Sequence, residues 1–200
     1  MAQELKQAVL FTLVTMALFG GGYHAALWAI GQAAFPAQAE GSLIRRADGT
    51  VVGSRPIAQK FTRPEYFEAR PSAVDYNAAS TGGSNWGPSN LDHLAAVRER
   101  LDALRRREGV AAAQVPSEMV TASGAGLDPH IPPAAAALQA PRIAASRGVS
   151  LTRVQEIVAL HTEPPMLGFL GRERVNVLEL NLALDEKLGP PAEAVNQERP

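Results

Sequence analysis

Residues 8–30 read AVLFTLVTMALFGGGYHAALWAI, 23 residues without a single Asp, Glu, Lys or Arg. At a rise of 1.5 Å per residue, about 20 predominantly apolar residues suffice to cross a bilayer core. The stretch Ala8 to Ile30 is therefore expected to be a transmembrane helix. Gly20-Gly21-Gly22 is its weak point, although glycine is commoner in membrane helices than in soluble ones. His24 is its one titratable group of note, and Trp28 fits the interfacial aromatic belt. A cleaved signal peptide is the alternative, because Ala37-Gln38-Ala39 before Glu40 has the small-x-small form of a cleavage site. However, the run exceeds the ~7–15 residues of a signal h-region, and Glu4 with Lys6 makes a weakly basic start. An uncleaved anchor is the expected reading. Lys6 precedes the span and no Lys or Arg follows it until Arg45 and Arg46. The charge rule thus favours a cytoplasmic N-terminus and an extracytoplasmic remainder.

Working outward, the 200 residues carry 19 basic and 20 acidic side chains, a formal charge of −1. That balance speaks against nucleic acid as a partner, since binding phosphates calls for a basic patch. Hydrophobic residues make up 46% of the chain, enough to build a core and to exclude an acidic disordered polymer. There is no cysteine, hence no disulfide, thiolate metal site or cysteine nucleophile. The expected organisation is a short cytoplasmic N-terminus (1–7), the span (8–30), a linker (31–40), one soluble domain (41–187) and a loose C-terminal tail (188–200).

Within the domain, Ser42-Leu43-Ile44 and Val51-Val52 flank Asp48-Gly49, which predicts a hairpin. Arg63-Pro64 and Arg70-Pro71 favour extended or turn backbone, and Ser80–Asn90 (STGGSNWGPSN) reads as a loop. Leu91, Leu94, Val97, Leu101 and Leu104 recur at helical spacing, with Ser89 and Asp92 at the start and Arg105–Arg107 before Gly109 at the end. A second helix is expected from about Pro133 to Arg147, ended by Gly148 and kinked or broken by Pro141. A third starts at Ser150 and carries Leu151, Val154, Ile157, Val158 and His161. Val175–Leu184 (VNVLELNLAL) places leucine at every second position from 178 to 184, which predicts a half-buried strand. The fold class is mixed α+β (α/β), held to the membrane by one N-terminal helix.

Chemistry-bearing motifs are sparse. No Gly precedes a Lys, so the phosphate-cradling P-loop is absent, and His93, His130 and His161 stand singly. Ser123, Asp128 and His130 are the residue types of a hydrolase triad, but G-x-S-x-G is missing. Thr121–Gly124 and Asp128-Pro129 read instead as turns and a cap for the following helix. Arg105–Arg107 reads as a solvated helix end.

Longer strings are more specific. Gly41–Ile44, FTRPEYFEARPSA (61–73), Asn77 with STGGSN (80–85), and VPSEMVTASGAGLDPHI (115–131) occur in order. LQAPRIA (138–144), HTEPPMLGFLG (161–171) and VNVLELNLALD (175–185) follow them. Together with the span, this set resembles the C subunit of the Kdp-type potassium-transporting ATPase over about residues 5 to 187.

The resemblance implies a non-catalytic subunit of a complex in the bacterial inner membrane. Its partners would be a channel-like potassium-translocating subunit and a P-type ATPase subunit. It implies a catalytic chaperone that raises the ATP affinity of the ATPase subunit through a transient ternary complex. No cofactor is expected on the chain alone, and ATP only in that complex. A glutamine of the family has been likened to the ATP-contacting signature of ABC transporters, and Gln139 is the matching position, without that signature's glycines. The expected topology pulls against contact, because ATP is cytoplasmic and the domain lies outside. A lid and brace on the channel-like subunit, acting on ATP affinity by linkage, is the simpler physical role. A membrane-anchored extracytoplasmic binding domain, or an enzyme of unknown substrate, is the alternative.

Overall fold

A computed structural model describes residues 1–46 and 48–191. The chain forms two compact units, Met1–Ser54 and the part from Arg55 onward.

The first unit is dominated by a continuous helical rod, Ala2–Ala34, apolar and long enough to cross a membrane. It comprises α1 (Ala2–Thr15), a π-helical segment (Met16–Gly22) and α2 (Tyr23–Ala34). None of its residues is buried. The expected weak point is visible as a change of winding. The three glycines end the π segment, and the His24 Nδ1–H donates to the Phe19 carbonyl at 2.9 Å. A short turn of helix, α3 (Pro36–Ala39), leads to the predicted hairpin, β1 (Leu43–Arg45) against β2 (Val51–Ser54). Its turn is held by Asp48, whose carboxylate accepts the Thr50 N–H at 2.8 Å, and by Gly49 at φ +86°.

The second unit begins with a long irregular segment, residues 55–90, ending in the expected loop. Then comes α4 (Leu91–Glu108), closed by left-handed Gly109. Its N-cap is Asn90, one residue beyond the expected Ser89, with the His93 N–H donating to the Asn90 side chain at 3.0 Å. Helix α5 (Pro133–Arg147) ends at left-handed Gly148, and α6 (Leu151–Leu160) starts from Ser150 as predicted. Pro141 does not break α5. Both Pro141 and Ala137, whose carbonyl loses its helical partner, lie on the exposed face, where that oxygen is open to solvent.

Strand β3 (His130–Ile131), β4 (Thr162–Glu163) and β5 (Arg174–Asn176) form a small antiparallel sheet in the order β3-β5-β4. The expectation for Val175–Leu184 is corrected here. Only its first two residues are strand, and Val177–Leu188 is a helix, α7. Asn176 caps it by accepting the Glu179 N–H at 3.2 Å. Val177, Leu180, Asn181 and Leu184 follow helical spacing, while Leu178 and Ala183 are buried on its flanks. A helix buried nearly all round shows no polar face, so the alternation of leucines imitates a strand. The core packs α5, α6 and α7 with Phe67, Leu104, Ile131 and Val175. Of the expected C-terminal tail, residues 192–200 lie outside the described residues.

Candidate functional site

Gln139 is fully buried on α5, and its amide faces the main chain of Glu68, just past the turn Arg63–Tyr66 that the Tyr66 N–H closes on the Arg63 carbonyl at 3.1 Å. Its Oε1 accepts the Glu68 N–H at 2.9 Å, and its Nε2 donates to the Glu68 carbonyl at 3.2 Å. One residue earlier, Asn181 of α7 treats Phe67 in the same way, accepting its N–H and donating to its carbonyl, both at 2.9 Å. Successive peptide groups of an extended chain point to opposite sides. Two helices therefore grip the segment from both flanks, and the side-chain amides stand in for a β-ladder.

The guanidiniums of α5 complete the clamp. Arg142 donates to the carbonyls of Pro64 and Tyr66, to Gln139 Oε1 at 3.0 Å and to the Glu108 carboxylate at 2.9 Å. Arg147 donates to the Glu65 carbonyl at 2.9 Å and to Asp185 at 2.8 Å, and lies over the Tyr66 ring at 5.0 Å. The Tyr66 hydroxyl donates to Asp185 at 2.9 Å; burial, reinforced by that carboxylate, pushes its pKa up to about 12. Glu108 is almost wholly buried between Arg142 and Arg107. Its Oε1 takes a hydrogen bond from each, leaving Oε2 without a partner among the described residues. Arg107 also reaches Glu68 at 2.6 Å, so the end of α4 is not simply solvated as expected. These charges are committed to one another. The arrangement is suited to holding a segment in place, since each donor already has an acceptor and the buried acids face guanidiniums.

A cavity of about 250 Å³ adjoins the clamp, lined by Glu68, Tyr76, Arg100, Leu104, Arg107 and Met119 among others. Its two guanidiniums are spoken for, Arg107 by Glu68 and Arg100 by the Val120 carbonyl at 3.2 Å. No three His, Asp or Glu side chains converge on a possible ion among the described residues.

Of the triad types, Asp128 and His130 come together. Asp128 accepts the His130 main-chain N–H at 3.0 Å, the expected turn, and its carboxylate lies 3.3 Å from His130 Nδ1 and from Arg70. Burial alone would raise the Asp128 carboxyl, but the bonds from His130, with Arg70 beside it, hold it below its ordinary range. Ser123 is buried, and no hydrogen bond among the described residues joins its hydroxyl to His130. The cap expected for α5 from this turn is absent, its N-cap being Pro132 with no side-chain bond.

Asn181, Arg142, Arg147 and Glu108 escaped the sequence reading. Apart from the local contacts Arg142–Gln139 and Arg107–Glu108, their partners are main-chain atoms or charges 34 to 114 residues away, a pairing that leaves no local pattern.

The match to known proteins extends through both units. Residues 5–186 fit the family described as the K+-transporting ATPase c chain, KdpC. The chain belongs to this family. Its relatives include the "Potassium-transporting ATPase KdpC subunit" of Geobacter sulfurreducens, 50% identical over 186 residues, covering 92% of this chain and 97% of that one. The protein of the same name in Polaromonas naphthalenivorans is 52% identical over 188 residues, covering 92% and 95%. That in Caulobacter vibrioides is 47% identical over 195 residues, covering 96% and 98%. The KdpC match thus takes in the apolar rod, the clamp and α7 together.

Proposed function

We propose that the chain is the single-span, non-catalytic accessory subunit of an ATP-driven, high-affinity potassium uptake complex. Its N-terminus is cytoplasmic and its folded domain is extracytoplasmic, on the outer side of the bacterial inner membrane. It braces a channel-like potassium-translocating subunit against a P-type ATPase subunit and raises the ATP affinity of the latter. The observation that carries this reading is the family match over residues 5–186, which treats the apolar helix and the domain as one inherited unit. The names of the relatives supply potassium and the ATPase. Lys6 before the apolar run, and the lack of Lys or Arg after it until Arg45, support the orientation.

With the domain outside, ATP affinity changes by linkage. If the chain binds its partners more tightly when nucleotide is bound, nucleotide binds more tightly when the chain is present, by the same factor. A coupling of typical size corresponds to about 5–150-fold in affinity. Direct contact through Gln139, in a ternary complex with ATP, is the competing route. It requires the Gln139 amide to leave Glu68 and Arg142, and the buried face of α5 to open.

The test compares the assembled complex with and without the chain, and with Gln139→Ala, reading the KM for ATP alongside subunit occupancy and melting temperature. Linkage expects omission of the chain to raise the KM by about 5–150-fold. Gln139→Ala strands two buried peptide groups at about 1–3 kcal/mol each, so it should lower the melting temperature yet leave the KM unchanged wherever occupancy is full. A raised KM at full occupancy and unaltered melting identifies Gln139 as a nucleotide contact. An unchanged KM on omission of the chain removes the chaperone role.

A further inference from the structure

The cavity of about 250 Å³ beside the clamp is walled by α4 on one side and by parts of the chain between Glu68 and Tyr76 on another. Helix α4 contributes Arg100, Ala103, Leu104 and Arg107, a single face at three- and four-residue steps. The two arginines are therefore set about 10 Å apart along the helix axis, at a rise of 1.5 Å per residue. Their surroundings differ in charge. Arg107 meets two carboxylates, Glu68 at 2.6 Å and Glu108 at 2.9 Å. Arg100 meets the Val120 carbonyl at 3.2 Å and no carboxylate among the described residues. A carbonyl accepts a hydrogen bond without supplying a counter-charge.

The other polar groups nearby are already matched. The Tyr76 hydroxyl donates to the Arg70 carbonyl at 2.8 Å. Burial, reinforced by Glu68 and Asp75, pushes its pKa up to about 12, so it adds no negative charge to the cavity at neutral pH. Asp75 itself pairs with Lys60 at 2.6 Å. The Val120 carbonyl occupies Nη1 of Arg100 alone. The Nε–Nη2 edge, whose parallel N–H groups fit the two oxygens of a carboxylate, has no acceptor among the described residues. That edge is not sealed off, because the buried side-chain atoms without a partner are Arg70 Nε and Glu108 Oε2. Between the two arginines the wall is apolar, with Ala69, Leu104 and Met119 all buried.

We propose that this cavity binds a small aliphatic monocarboxylate, its head side-on against Arg100 and its hydrocarbon chain along Ala69, Leu104 and Met119. One unmatched cation next to an apolar wall calls for one negative charge joined to one apolar body. Size sets the length of that body. The volume lies just under the ~300–1,000 Å³ of drug-sized sites and equals roughly eight waters at about 30 Å³ each, which suits a chain of roughly three to five carbons. A second carboxylate on the ligand would face Glu68, and a nucleoside triphosphate is both too large and too negative. Occupancy joins α4 to the Glu68–Tyr76 stretch and stabilises the folded domain by mass action. The site needs neither a membrane nor another subunit, so it is independent of the reading given under Proposed function.

The experiment uses the full-length chain in detergent micelles, with its four methionines labelled at the methyl carbon for NMR. Met119 lies in the cavity wall, and exposed Met166, which does not line it, serves as the internal control. Met119→Leu assigns the resonance. Sodium butanoate is the probe, with butylammonium chloride and sodium phosphate at equal ionic strength as the comparisons. The Met119 methyl is expected to move and saturate at millimolar butanoate, an affinity suited to so small a ligand, while Met166 stays still. Arg100→Gln removes the fork and should weaken binding about tenfold or more. Because that change also frees the Val120 carbonyl, Ala103→Leu provides a second variant. It fills the cavity from the exposed side of α4, keeps Arg100, and should abolish the response at an unchanged melting temperature. The proposal is overturned by a Met119 methyl that does not saturate, by equal binding of butylammonium or phosphate, or by full binding in Ala103→Leu.

Discussion

Asn181 and Gln139 solve one problem from opposite flanks, the hydrogen-bonding of a buried extended segment that has no neighbouring strand. A buried peptide group left unpaired costs about 1–3 kcal/mol, which is why both amides offer a donor and an acceptor to the same residue. Asp128 illustrates a second residue-scale device, a carboxylate stabilised by its neighbours. Its hydrogen bonds with His130 and the nearby Arg70 hold its pKa below the ordinary aspartate range against the opposing pull of burial. A depressed carboxyl contributes stability that is present above its unfolded value and is lost as pH falls through the folded one. Asp128→Asn is therefore expected to destabilise the full-length chain by ~1 kcal/mol at pH 7, a modest figure because the side chain is partly exposed. The difference from the unaltered chain should close as the pH drops below about 4. Denaturant melts of both proteins from pH 7 to acid check this, and a gap that persists in acid assigns the loss to packing instead. Glu163 and Glu65 share the direction of Asp128 and add equally to the acid limb of the unaltered chain and of the variant. Of this chemistry the sequence disclosed little. Gln139 stood out only through a family likeness, and its pairing with Glu68, 71 residues away, is invisible to any local reading.

At the scale of elements, legibility followed the strength of the local stop signals. Gly109, Gly148 and Ser150 mark helix ends in the sequence and occupy those places in the structure, two glycines in the left-handed C-cap conformation and the serine as N-cap. Asp48-Gly49 likewise announces its hairpin. The failure came at Val175–Leu184, where strand passes into helix without a glycine or proline and burial on several faces erases the helical period. The decisive residue is Asn176, which does two jobs at the junction. Its Oδ1 accepts the Glu179 N–H as the N-cap of α7, while its Nδ2 donates to the Arg55 carbonyl at 2.8 Å. Asn176→Ala loses both and should cost about 2–3 kcal/mol, a cap of ~1 kcal/mol plus a stranded carbonyl. Asn176→Asp keeps the cap acceptor and loses only the donor, so its shift in urea midpoint should be about half as large. Equal shifts for the two variants would show that the cap contributes nothing.

For the whole molecule, the governing question is on which side of the membrane the second unit works. The charge pattern gives a direction with a small margin. Lys6, in the first turns of the helix, is the only Lys or Arg before its apolar run, and the basic residues after the helix start at Arg45, 11 residues beyond Ala34. Juxtamembrane charges count within about 15–20 residues of a span, so Arg45 and Arg46 fall inside that window and oppose Lys6, which adjoins the apolar run directly. Two features of the described structure bear on the outcome. The apolar rod runs unbroken to Ala34, well past the length a signal h-region needs, so cleavage after Ala39 would discard a complete span. The folded domain carries no cysteine and so forms its core without disulfides on either side. A phosphatase reporter that folds only outside the cytoplasm, fused after Pro200, is expected to be active. A reporter fluorescent only in the cytoplasm, at the same junction, is expected to stay dark. Mass spectrometry of the purified membrane protein should recover peptides from the first 39 residues. Swapping the charge bias, with Lys6→Glu and three lysines inserted after Ala34, should invert both reporters if the charge rule sets the orientation. A dark phosphatase fusion in the unaltered chain would place the domain beside cytoplasmic ATP and revive direct contact through Gln139. A chain beginning at Glu40 would release the domain from the membrane, and the brace would then have to rest on the domain's own surface alone.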